Sequence, residues 1–176
     1  MVTEQDKTLE AVQMGIHMEI DGKEYYLKVS QESSNELGKK LLGALSIEED
    51  NHRQRFVRIY DAIREQKGWP VIILQSDGGK ELRTVFAAAS EEISLNVEPL
   101  STELGAIEKA MDMENKTYDY YQSRGEQADY GAEREFYRKL SVEEKEHHRL
   151  LLDYYEYLKN PATWFVQKER HSMDGG

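Results

Sequence analysis

The sequence predicts an all-α protein, a four-helix bundle made of two similar helical hairpins. Only three prolines occur in 176 residues, and four long segments carry apolar residues at the three- and four-residue steps of a buried helix face. The segment LSIEEDNH returns as LSVEEKEH 95 positions later, and the same offset carries Met18 and Glu19 onto Met113 and Glu114. We therefore expect two copies of a helical pair, related by a pseudo-two-fold axis.

The first predicted helix covers residues 3–31, and the sequence SSNE follows it. Within SSNE, Ser33 and Glu36 have the spacing of a capping box, in which a hydroxyl and a carboxylate satisfy backbone N–H groups at a helix start. The second helix is expected to start there. It should end near Lys67, because Gly68 can adopt the left-handed conformation that commonly terminates helices.

A connection over residues 69–100 separates the second and third long helices and is far too long for a hairpin turn. It contains the apolar run VIIL, a turn at SDGGK and the segment LRTVFAAASEEI, which predicts a short helix. We interpret the connection as a crossover along the bundle.

The third long helix is predicted from the sequence STE to near Gly125, and the fourth from about Asp129 to the Asn–Pro dipeptide at 160–161. The bundle thus occupies residues 1–160, and residues 161–176 form a C-terminal tail. Two large apolar side chains in this tail can pack either on the bundle or on a neighbouring subunit: Trp164 and Phe165.

The composition argues against several classes of function. A formal net charge of -11 without clustered Lys and Arg argues against nucleic-acid binding. No apolar run approaches the roughly 20 residues that span a bilayer, and the acidic N-terminal sequence lacks the apolar region of a signal peptide. We therefore expect a cytoplasmic protein without membrane contact. The absence of cysteine leaves His, Asp and Glu as the strong metal ligands.

The predicted buried faces contain acids and histidines where apolar residues are expected. Glu49 and His52 fall on the stripe of the second helix, and Glu144 and His147 repeat them on the fourth. Each helix thus directs one carboxylate into the core. The four stripes are Val12, Ile16, Glu19, Tyr26; Leu41, Leu45, Glu49, His52, Phe56, Ile59, Ile63; Ile107, Met111, Glu114, Tyr121; and Phe136, Leu140, Glu144, His147, Leu151, Tyr154, Leu158.

The four inward carboxylates are expected at one depth in the bundle. In an antiparallel hairpin, residues equally far from the turn lie at the same height. The midpoint between Glu19 and Glu49 falls within SSNE, and the midpoint between Glu114 and Glu144 falls at Asp129, in the second break. All four acids should therefore meet in one layer, with the two histidines about one turn away on the same faces.

Four carboxylates buried together require compensating positive charge. Each unpaired buried carboxylate costs on the order of several kcal/mol, and no Lys or Arg occupies the stripes. Two divalent cations would balance four carboxylates, with one neutral imidazole completing each ligand set. Oxygen-rich ligation of this kind favours iron or manganese over structural zinc. We therefore expect two metal ions per chain, which can be two iron ions, two manganese ions or a mixed pair.

One Glu from each of two helices and Glu-x-x-His from each of the other two is the ligand pattern of ferritin-like di-iron carboxylate proteins. Within this class the sequence resembles the rubrerythrin family, through MEIDGKEYY, LSIEEDNH, MENKTYDYY and LSVEEKEH. The resemblance implies a ferritin-like bundle in a form without the rubredoxin-like domain. The implied ligands are two bridging carboxylates, two terminal carboxylates and one histidine per iron: Glu49, Glu144; Glu19, Glu114; His52, His147.

The resemblance also assigns residues beside the ligands. Tyr26 and Tyr121 would hydrogen-bond to the ligands, with ordinary core packing as the alternative. Glu48 and Glu143, beside the bridging acids, are expected to be exposed. The family's additional glutamate, three residues after the third-helix ligand, is Thr117 in this sequence.

The implied activity is that of a di-iron oxidoreductase that reduces hydrogen peroxide. Because the sequence has no cysteine for the family's rubredoxin-like centre, the electrons would come from a separate, rubredoxin-like donor protein. The more symmetric ligand set makes the site similar to that of bacterioferritin, so a ferroxidase that oxidises Fe(II) with oxygen or peroxide is the alternative. A non-catalytic bundle acting through protein contacts is a third hypothesis. The resemblance further suggests a homodimer.

Overall fold

A computed structural model describes residues 3–72, 80–90 and 101–173. The regular secondary structure of these residues is entirely helical, which confirms the predicted all-α class. The long helices pair as two hairpins, α1 with α2 and α4 with α5, and the hairpins pack together through α1 on α4 and α2 on α5. The helices are α1 (Glu4–Glu32), α2 (Glu36–Arg64), α3 (Lys80–Ser90), α4 (Ser101–Gln127), α5 (Gly131–Lys159) and α6 (Pro161–Met173).

The contacts between the hairpins follow the predicted pseudo-two-fold axis. The hydroxyl of Tyr25 donates to the backbone oxygen of Ala106 at 2.8 Å, and the hydroxyl of Tyr120 donates to the backbone oxygen of Ala11 at 2.9 Å. The 95-residue offset exchanges these two hydrogen bonds. Each hairpin therefore holds the other by the same tyrosine contact.

The start of α2 differs from the predicted capping box. Asn35 is the N-cap, and its side-chain oxygen accepts the backbone N–H of Gly38 at 2.8 Å. Ser33 instead ends α1, and its hydroxyl donates to Glu103 of α4 at 2.6 Å. The prediction was wrong because Asn caps helices as well as Ser does, while Ser33 has a partner on the other hairpin. Gly68 adopts the expected left-handed conformation, with φ of 72°.

Part of the predicted crossover forms α3, which packs on α2. Arg83 of α3 also donates to Glu146 of α5 at 2.7 Å, so this helix contacts both hairpins. Residues 73–79, with most of the predicted SDGGK turn, and residues 91–93 of the predicted short helix lie outside the described part of the chain.

The predicted C-terminal tail contains the helix α6. The Asn–Pro dipeptide that ends α5 also begins α6, because the Asn side chain caps the new helix and Pro fits its first turn. Trp164 is buried, its ring packs on Phe86 of α3 and Tyr157 of α5, and its indole N–H donates to Asp153 at 2.7 Å. Of the two partners that the sequence left open, the tail therefore packs on the bundle.

Two apolar clusters form the core. One includes Leu41, Leu45 and Tyr154, and the other includes Phe56 and Phe136. The apolar residues of the α2 and α5 stripes are buried as predicted. Within the described residues, no helix combines the length and the apolar character needed to cross a bilayer.

Candidate metal centre

Six polar side chains meet in the core, where the hairpin geometry placed them. All four inward glutamates and both histidines are at most 3% exposed. One glutamate comes from each long helix, and the histidines come from α2 and α5. The six are Glu19, Glu49, His52, Glu114, Glu144 and His147.

The six side chains form two overlapping groups of four. Within each group, one potential ligand atom per residue lies within 4.8 Å of the others. Glu49 and Glu144 belong to both groups, which is the position that bridging carboxylates require. The groups are Glu19, Glu49, His52, Glu144 and Glu49, Glu114, Glu144, His147.

Both imidazoles turn the same ring nitrogen, Nδ1, toward the carboxylates. Nδ1 of His52 lies 3.1 Å from Oε1 of Glu144 and 3.4 Å from Oε2 of Glu19. Nδ1 of His147 lies 3.0 Å from Oε1 of Glu49. The two rings are stacked, with centroids 5.6 Å apart and an interplanar angle of 13°. The histidines therefore present equivalent atoms to the two groups.

Two buried tyrosines connect the hairpins at this layer. The hydroxyl of Tyr26 donates to Oε1 of Glu114, and the hydroxyl of Tyr121 donates to Oε1 of Glu19, both through short hydrogen bonds. Each tyrosine thus contacts the glutamate of the other hairpin. Burial, together with the carboxylate that each contacts, raises the pKa of both tyrosines well above the usual value. The hydroxyls therefore stay protonated and act as donors.

Four of the six side chains have a raised pKa. Burial, followed by the neighbouring carboxylates, raises the pKa of Glu49 and Glu144 well above the usual value. Burial by itself would lower the pKa of His52 and His147, but the adjoining carboxylates outweigh it and raise the pKa of both. Without a cation, bound protons offset the negative charge of the clustered carboxylates. This is expected for buried acids with no Lys or Arg on their stripes.

The donor atoms fit a pair of divalent cations. Buried polar atoms in proteins are normally hydrogen-bonded, so unpaired atoms that face one another mark a place for another ligand. Oxygens with one imidazole nitrogen per group suit iron or manganese. Among the described residues, the following buried atoms of the centre have no hydrogen-bond partner: Glu19 Oε2, Glu49 Oε1, His52 Nδ1, Glu114 Oε2, Glu144 Oε1 and Oε2, and His147 Nδ1.

Two residues of the centre were not found by sequence reasoning. Glu143, predicted to be exposed, is buried, and its Oε2 lies 2.6 Å from Nε2 of His52. The prediction was wrong because the buried face of α5 is wider than the stripe that contains Glu144. It includes the neighbouring residue Glu143, which lies about 100° further round the helix. Gly22 of α1 lies so close to Glu49 that a Cβ atom would be 3.0 Å from its Oε2. A glycine inside a helix was the available signal, since glycine is unfavourable there.

A bundle of long helices with two overlapping Glu/His groups in its core defines the ferritin-like class of carboxylate proteins. Within this class the chain belongs to the rubrerythrin family, because the rubrerythrin family model matches residues 10–155. The matched region contains all six residues of the centre, and family membership implies a di-iron site. Comparison with curated proteins and with solved structures gives no significant match.

Proposed function

We propose that the protein is a di-iron oxidoreductase of rubrerythrin type, which reduces hydrogen peroxide with electrons from a separate donor protein. The observation that carries the proposal is the pair of Glu/His groups that share Glu49 and Glu144, in a chain of the rubrerythrin family. Two ferrous ions bound there would supply the two electrons that, with two protons, convert one peroxide molecule to two water molecules.

The side chains of the chain have three roles in this proposal. Tyr26 and Tyr121 orient the terminal carboxylates Glu114 and Glu19, and each keeps a proton beside one of them. The shared glutamates would bridge two bound metals, and each remaining Glu/His pair would complete one ligand set. The proposed ligands are therefore Glu49 and Glu144 as bridges, Glu19 and His52 on one metal, and Glu114 and His147 on the other.

The bundle also restricts what can reach the centre. The six side chains are at most 3% exposed, and apolar core clusters enclose them. Only a small molecule can approach without the helices separating, which supports peroxide or dioxygen as the oxidant. Exclusion of bulk water also strengthens the electrostatic contacts between the carboxylates and a bound cation.

The electron donor is proposed to be a second protein that is rubredoxin-like. The 176 residues of the sequence include no cysteine, so they cannot supply the four thiolates of a rubredoxin-like iron centre. On the basis of the family resemblance we also propose that the chain forms a homodimer. Measurement of the molecular mass in solution tests the homodimer. Reduction of the oxidised, iron-loaded protein by a reduced rubredoxin tests the donor.

A ferroxidase is the second candidate function, and Thr117 is the observation that favours it. This residue occupies the position of the family's additional glutamate, and its hydroxyl donates to the backbone oxygen of Met113 at 3.1 Å. It therefore bonds to its own helix and adds no carboxylate to the centre. The remaining ligand set is symmetric, as in bacterioferritin, where Fe(II) itself is the substrate.

Single-turnover mixing distinguishes the two candidates. The protein loaded with Fe(II) without oxygen is mixed with peroxide and, separately, with oxygen, while absorbance reports iron oxidation. The proposal predicts that peroxide reacts at least about ten times faster, a difference of about 1.4 kcal/mol in activation free energy. Comparable rates with repeated uptake of Fe(II) would instead support the ferroxidase.

Two variants of the same helix serve as controls for this experiment. Glu114→Gln should abolish the fast reaction, because it removes a proposed terminal ligand. Glu126→Gln, an exposed position on α4, should leave the reaction unchanged. Wild-type protein that retains less than about one iron or manganese per chain after loading would contradict both redox functions.

A further inference from the structure

The two histidines of the centre differ in how their outer ring nitrogens are held. Nε2 of His52 lies 2.6 Å from Oε2 of Glu143, and the guanidinium of Arg55 donates to the same oxygen at 3.2 Å. The side chain of Glu143 is only 9% exposed and that of His52 is fully buried, so this contact is shielded from water. Arg55 and His52 both belong to α2, whereas Glu143 reaches them from α5.

The internal repeat does not reproduce this arrangement at His147. Under the 95-residue offset, Glu143 corresponds to Glu48 and Arg55 corresponds to Leu150. Leu150 is a buried apolar residue and offers no charge to a carboxylate, and Glu48 is half-buried. Across residues 3–72, 80–90 and 101–173, the close polar contacts of His147 all involve Nδ1.

We propose that Glu143, supported by Arg55, is a positioning residue for His52 and makes the Glu19–His52 position the tighter of the two metal positions. The inference rests on the proposed metal centre. A carboxylate that accepts a hydrogen bond from Nε2–H fixes the tautomer in which Nδ1 is free for a metal, and it holds the ring in one orientation. Loss of such a partner typically weakens metal binding by about 10- to 100-fold.

The Glu114–His147 position then fills last and empties first. A chain given one equivalent of metal holds it at Glu19 and His52, and the second metal exchanges while the first stays bound. The division into a firm and an exchangeable position follows from the contact of Glu143 and Arg55 with the outer face of His52, which has no counterpart at His147 among the described residues.

Titration of the metal-depleted protein with Co(II), followed by visible absorption, tests this inference. The wild-type protein should bind two equivalents in two steps, the first at least about tenfold tighter. Glu143→Leu should weaken that step by about 10- to 100-fold, so that the two steps merge. Glu143→Gln should restore most of the difference, because its amide oxygen still accepts a hydrogen bond from the Nε2–H group of His52. Glu48→Gln, the matched control from the other half, should leave both steps unchanged.

Proton NMR of the cobalt-loaded wild-type protein gives a readout that does not depend on how a variant folds. The paramagnetic ion shifts the imidazole N–H signals away from other resonances. The Nε2 proton of His52, held by Glu143, should exchange slowly with solvent, and that of His147 should exchange quickly. Equal exchange of the two protons, or unchanged binding steps in Glu143→Leu, would overturn the inference and leave the metal centre intact. Failure of wild-type protein to bind Co(II) at all would overturn the proposed function as well.

Discussion

Replacing Glu144 by Gln should stabilise the metal-depleted protein and abolish binding of the metal pair. Glu144 is buried and belongs to both Glu/His groups, whose ligand atoms lie within 4.8 Å of one another. At that separation, two like unit charges would repel by about 3 kcal/mol at an effective dielectric constant of 20. The raised pKa of Glu144 shows that the metal-depleted protein relieves this repulsion by binding a proton, whereas glutamine is neutral without one. Attraction to His52, whose Nδ1 is 3.1 Å from Oε1 of Glu144, offsets part of this. We expect the unfolding free energy of the metal-depleted variant to rise by about 1–3 kcal/mol.

Urea unfolding at neutral pH, followed by circular dichroism, measures this change. Glu103→Gln is the matched control, because Glu103 is also buried but accepts hydrogen bonds from Ser33, Ser34 and Tyr154 at 2.6, 2.7 and 2.9 Å. Loss of the carboxylate there should cost about 1–3 kcal/mol, so the same substitution has opposite signs at the two positions.

Added Fe(II) completes the comparison. At a free metal concentration of 100 times the dissociation constant, the wild-type protein should gain about 2.7 kcal/mol per site, and Glu144→Gln should gain little. The reasoning is refuted if metal-depleted Glu144→Gln is clearly less stable than wild type. It is also refuted if the variant binds two metals with unchanged affinity.

Three further predictions concern pH, Gly22 and Trp164. The pKa of Glu49 and Glu144 is higher in the fold than the value of 4.5 expected in the unfolded chain. Their protonation therefore stabilises the metal-depleted fold fully below pH 4.5, and this contribution is lost as the pH rises through their pKa values in the folded protein. Urea unfolding should therefore show stability falling toward alkaline pH, and a flat profile would contradict the shifts. Gly22→Ala should weaken metal binding about tenfold, because its Cβ would push Glu49 out of the position that both Glu/His groups share. Calorimetric titration measures this affinity, and an unchanged value would argue against the close approach. Trp164→Ala should cost about 3 kcal/mol while metal content stays the same, and loss of metal would show that α6 supports the centre.

The layer of four inward glutamates could be predicted from sequence because local rules determine it. Helical periodicity turned Glu19 and Glu49 inward, and their equal distance from the turn placed them at one height. The repeat then supplied Glu114 and Glu144 in the same arrangement. None of these steps required knowledge of contacts between the two hairpins, since each hairpin determines its own half of the layer.

The features that the sequence did not predict depend on contacts between distant segments. Ser33 fails to cap α2 because its partner, Glu103, lies 70 positions away on the other hairpin. Glu143 is buried because α5 packs its second row of side chains against α2, where His52 lies. The tail forms a helix that packs on α3 and α5 through Trp164. In each case the local pattern allowed two conformations or environments, and a long-range contact selected one.

Anomalous X-ray diffraction from crystals loaded with Fe(II) in the absence of oxygen is the most direct test of the central claim. The account predicts two iron peaks per chain in the layer between the hairpins, both in contact with Glu49 and Glu144 and each within bonding distance of one histidine Nδ1. Carboxylates turned away from one another, with no iron peak between them, would contradict it.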